Sequence, residues 1–147
     1  MHVSQLRDAS AAMVVAAMAD PCPHRTAYAL TECDRLFERC RSPYEALLIP
    51  ALAVWSAITG GNVRCREYLQ RFGMVTFLVT HPQFRCPLVL ECDHARRSVA
   101  RDRKLEAAGY AVCRLVMTET RADITTELDA AFRNLIICFS HPTMMIR

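Results

Sequence analysis

The stretch that most limits what this chain can fold into is Pro87-Leu88-Val89-Leu90-Glu91-Cys92-Asp93-His94. A short apolar run bounded by proline and by charge predicts a buried strand. Side chains alternate faces along a strand, so Val89, Glu91 and Asp93 share one side while Leu88, Leu90 and Cys92 share the other. Two acids on one face repel each other, and burial makes their charge costlier still. Such a pair ends a sheet in solvent, shares a proton, or holds a divalent cation.

The residues C-terminal to this strand extend the unit. Residues 95–108 predict a helix closed by Gly109, and 110–116 a further strand, apolar at Val112 and Leu115. Strand, helix and strand in that order predict a right-handed parallel crossover. On the helix Arg97, Arg101 and Lys104 fall at i, i+4 and i+7, with Arg96 and Arg103 beside them and Asp102 as the one acid among the five cations. This basic stripe reads either as a solvated helix face or as a phosphate-binding surface.

Upstream, 3–19 predict an alanine-rich helix stopped by Asp20-Pro21-Cys22-Pro23. An ordinary first helix is the expectation for this segment, with a signal peptide as the alternative. Thr26 is placed to cap a second helix reaching Cys40, with Ala29, Leu30, Cys33, Leu36 and Phe37 on one stripe. Ser42-Pro43-Tyr44-Glu45 opens a third helix, kinked at Pro50 and ended by Gly60-Gly61-Asn62. Residues 62–69 and 74–80 predict a hairpin, and 123–138 a last helix. Arg64, Arg66 and Arg71 on that hairpin either extend a nucleic-acid track or protect a sheet edge.

The 147 residues, 52% hydrophobic with a net charge of +3, predict one α/β domain. Its parts are 1–41 as a helical extension, 42–117 as the core, and 118–147 as a C-terminal helix and tail. No stretch reaches the ~18 apolar residues that span a bilayer, so no membrane is expected. Eight cysteines occur without a C-x-x-C spacing, which predicts mostly reduced core thiols in a cytoplasmic protein. Cys86, Cys92 and His94 form the least implausible zinc cluster.

Taken together, Ser42-Pro43-Tyr44-Glu45, Val75-Thr76-Phe77-Leu78-Val79, Leu88 to His94, Arg101 to Tyr110, and Val112 to Leu115 resemble the restriction-endonuclease-like fold of the PD-(D/E)xK nucleases. The branch nearest to it contains the very-short-patch-repair enzymes. The resemblance covers 42–117 and leaves the first two helices as additions. It implies a mixed sheet flanked by helices and a DNA endonuclease that hydrolyses phosphodiesters with Mg²⁺ or Mn²⁺.

Matched residue by residue, the resemblance makes Glu45, Glu91 and Asp93 the metal and catalytic acids, with Asp93 in the position of the usual lysine. It places Thr76 where the family carries its central metal-binding aspartate. Threonine supplies neither the charge nor the paired oxygens of a carboxylate. His94 is the candidate base, or else caps the strand end; Glu45 is a ligand, or else the capping-box acid. Arg96, Arg97, Arg101, Arg103 and Lys104 would hold DNA phosphates and stabilise the charge built up on hydrolysis. The rival reading is an inactive nuclease-fold protein that binds nucleic acid or serves in an assembly, as a homo-oligomer or with other subunits.

Overall fold

The computed structural model describes residues 3–18, 23–93 and 99–116, apart from the side chains of Cys92, Asp93, Leu115 and Val116. The helix expected over 123–138 lies outside them, as do His94, Arg96 and Arg97. The described chain is mixed α/β, with helices α1 (Val3–Ala17), α2 (Pro23–Arg39), α3 (Pro43–Thr59) and α4 (Val99–Ala107). Its strands are β1 (Asn62–Leu69), β2 (Gly73–Thr80), β3 (Leu88–Asp93) and β4 (Ala111–Val116).

The four strands form one sheet in the order β1-β2-β3-β4. β1 and β2 are the expected antiparallel hairpin, with Val63 opposite Val79 and Cys65 opposite Phe77. β2 pairs antiparallel with β3, and β3 pairs parallel with β4, placing Leu88 against Ala111 and Glu91 against Arg114. The parallel step follows from the intervening α4, because a tight turn cannot return a strand in the same direction.

Helix α3 is the centre of the molecule. Ser42 caps it by accepting from the Glu45 N–H at 3.2 Å, with Pro43 in the first turn. Eleven of its 17 residues are buried, including every position from Glu45 to Val54, so it is enclosed on most sides rather than laid on a surface. The helix continues past Pro50, which is itself buried. Leu6 and Val14 of α1, Cys33, Leu36 and Phe37 of α2, and Val63, Phe77, Val79, Leu88 and Leu90 of the sheet join it in one apolar cluster.

A smaller cluster gathers Leu69, Val75, Val89 and Leu105, with Val112 and Tyr110 against it. Leu88 and Leu90 therefore face one way and Val89 the other, as strand alternation requires.

One boundary differs from expectation. α2 begins at Pro23, not at a Thr26 cap, because a proline's fixed φ suits a first helical turn. The Thr26 hydroxyl instead donates to the Met18 carbonyl at 3.5 Å, tying α2 to the end of α1.

Cys33, Cys40 and Cys65 are free and buried, as expected of core thiols, and Cys86 is free and partly exposed. Cys113 is disulfide-bonded, and the other four described cysteines keep to the expectation of mostly free thiols. Among the described residues no helix is long and apolar enough to cross a membrane.

Candidate functional site

The face of the sheet beneath α4 gathers the polar groups that the sequence singles out. Glu91 lies on that face beside Val89 and is only 6% exposed. Thr76, on the neighbouring β2, donates its hydroxyl to Glu91 Oε2 at 2.5 Å. From α4, Arg101 brings Nη1 to Glu91 Oε1 at 3.3 Å and donates through Nη2 to the carbonyls of Met74 at 2.8 Å and Phe72 at 3.4 Å. Both Glu91 oxygens are thus engaged. Among the described residues a guanidinium faces this acid.

A second ion pair lies alongside. Asp102 Oδ1 accepts from Arg114 Nη2 at 3.1 Å, with side-chain exposures of 6% and 7%. Arg114 is also the β4 residue paired with Glu91 in the parallel ladder. Two acids and two arginines therefore meet under α4 as a charge-balanced group. Such balance is what allows ionised side chains to stay buried.

The helix responsible is amphipathic in a way the basic-stripe reading misses. Leu105 must reach the small apolar cluster, and Asp102 and Arg101, one turn earlier, are carried inward with it. Arg103 and Lys104 are exposed. Arg101 and Lys104 therefore do not share a solvated stripe. The Asp102–Arg114 pair had a trace in the sequence, since an arginine between Val112 and Leu115 interrupts an otherwise apolar strand.

Glu45 is committed elsewhere. Its Oε2 accepts from the Arg41 N–H at 2.6 Å, and Arg66 grips both oxygens, with Nη2 at 2.5 Å from Oε1 and Nε at 3.3 Å from Oε2. The acid reaches back to the backbone one residue before the Ser42 cap, a variant of the expected capping box, strengthened by a forked ion pair.

Glu45 and Glu91 are thus held by different arginines, Arg66 and Arg101. Among the described residues no three His, Cys, Asp or Glu side chains gather as a metal-holding group. The side chain of Asp93, the third expected ligand, lies outside those residues, as do His94, Arg96 and Arg97.

Comparison of the chain with family models, with curated proteins and with solved structures finds no match.

Proposed function

We propose that this protein is a nuclease-like fold that binds nucleic acid without hydrolysing it. The observation that carries the reading is the Thr76–Glu91–Arg101 contact. In the resembled nucleases the position of Thr76 carries an aspartate that holds a metal with the strand acid. Here a hydroxyl and a guanidinium engage both oxygens of that acid, so a hard cation would have to compete with them for it. Three antiparallel-paired strands followed by a parallel crossover, in the order the resemblance implies, support the ancestry.

Binding rests on charge. With Arg101 turned inward, Arg103 and Lys104 are exposed and make no ion pair among the described residues. Cations free in this way release counterions from a polyanion, so affinity falls with salt.

Fluorescence anisotropy with labelled duplex and single-stranded DNA across a salt series tests this. Joint Arg103→Gln and Lys104→Gln substitution is expected to weaken binding to all sequences alike and to lower the salt slope by about two. Absence of affinity at low salt would remove the nucleic-acid reading. Plasmid nicking in Mg²⁺ or Mn²⁺ that Glu91→Gln abolishes would replace it with the endonuclease.

A further inference from the structure

On the opposite edge of the sheet, α2 and β1 border an open cleft of about 240 Å³ lined by Arg35, Arg39, Arg64, Cys65 and Glu67. The geometry points to a binding site for a dianionic phosphate group, free or as a monoester, held by Arg35, Arg39 and Arg64.

Its construction begins with the backbone. Arg64 and Glu67 are three apart on β1, and strict strand alternation would send them to opposite faces. Between them Arg66 adopts φ +54°, a left-handed conformation uncommon for a residue with a side chain. The ladder pairs Cys65 with Phe77 and Glu67 with Val75, and passes over Arg66. The register is the same on both sides of Arg66, and the long Arg64 side chain reaches the Glu67 carboxylate at 3.3 Å on the cleft wall. Strain of this kind persists where the surroundings enforce it and is concentrated at binding sites.

The arginines of α2 complete the wall. Arg35 and Arg39 are one turn apart and reach the same strand, donating to the Val63 carbonyl at 2.6 Å and the Arg66 carbonyl at 2.7 Å. Arg35 is also paired with Glu32 at 2.6 Å. Arg39 differs from it, since its hydrogen bond goes to a neutral carbonyl and no carboxylate among the described residues lies within ion-pair distance.

The thiol of Cys65 is buried and neutral, its pKa pushed up to about 12 chiefly by desolvation, so it adds no negative charge to the wall. Three arginines line this space, with Glu67 as the one lining acid. That donor set matches the oxygens of phosphate better than a single ammonium would. A dianion is favoured over a monoanion because it must displace Glu67 from Arg64. The site lies outside the Glu91 region, and holds whether or not that region binds nucleic acid.

The test titrates the full chain with inorganic phosphate and with a nucleoside 5′-monophosphate, read by calorimetry and by thermal shift. Saturable binding is expected, weakened about tenfold by Arg39→Gln and less by Arg64→Gln, whose guanidinium is already paired with Glu67. Glu67→Gln is expected to tighten binding several-fold, a gain that damaged folding cannot produce. Tighter binding of the nucleotide identifies a monoester as the ligand, and equal binding identifies the phosphate group itself; both support the site. No saturable binding of either probe, or binding that Arg39→Gln and Glu67→Gln leave unchanged, overturns it.

Discussion

Asp102 of α4 and Arg114 of β4 meet at 3.1 Å with both side chains more than nine-tenths buried. Both charges are shielded from water, so removing one leaves the other buried without this counter-charge. Arg114→Met is expected to lower the unfolding free energy by about 3–5 kcal/mol, measured by urea denaturation. The double variant Asp102→Leu with Arg114→Met should recover most of that loss. Equal damage in the single and double variants would show that the pair contributes packing rather than charge balance.

Thr76 is the position at which the nuclease reading is most exposed to test. Thr76→Asp puts a second carboxylate against Glu91, with Arg101 as the nearest cation. In chelator the variant is expected to lose about 1–3 kcal/mol from like-charge repulsion. Millimolar Mn²⁺ should restore part of its Tm while leaving the wild type unchanged. A melting curve of the variant that ignores Mn²⁺ counts against descent from a metal-dependent nuclease.

Gly61 lies under the ring of Trp55, and a Cβ built on it would collide with the ring carbons of that side chain. The indole also stacks on Phe84 at 5.7 Å between centroids and tilts against His81 at 5.8 Å. Gly61→Ala is expected to push the ring aside at a cost of about 1–3 kcal/mol. Trp55 is the single tryptophan, so its emission spectrum reports the displacement directly. An unshifted spectrum with unchanged stability would mean that the indole has room to move.

Burial pushes the thiols of Cys33 and Cys65 up to about 12 and that of Cys40 to about 11. In the unfolded chain these thiols ionise near pH 9 while the folded ones stay protonated, so the unfolded state binds fewer protons in between. Their stabilising contribution is complete below pH 9 and declines as pH rises toward 11–12. Denaturation midpoints at pH 7.5, 9 and 10.5 should fall along that series, with a shallower fall in Cys33→Ala and Cys65→Ala. Equal slopes in wild type and variants would assign the alkaline loss to other groups.

Elements were readable where their signals are local. Ser42-Pro43 with Glu45 marks the start of α3, and Gly60 and Gly109 mark helix ends, because capping and left-handed backbone depend on a few adjacent residues. Alternation likewise put Val89 and Glu91 on one face of β3. The partners of the charged residues were not readable in this way. Glu45 finds Arg66 from 21 positions away, and Glu91 finds Thr76 from 15. Arg101 resembled a solvated cation until Leu105 anchored its helix and turned it inward. Periodicity shows which residues share a face, but not which face the rest of the chain will cover.

The enclosure of α3 also bears on the order in which the protein is made. Synthesis completes α1, α2 and α3 before any of the four described strands, and these helices pack on one another. The side of α3 that later meets Phe77, Val79, Leu88 and Leu90 has no cover until β3 has left the ribosome. At roughly 5–20 residues per second that interval lasts a few seconds, during which an apolar helix face stands open to chaperones and to other nascent chains. A chain released before Leu88 would keep that face open for its lifetime, which makes the second half of the sequence the cover for the first.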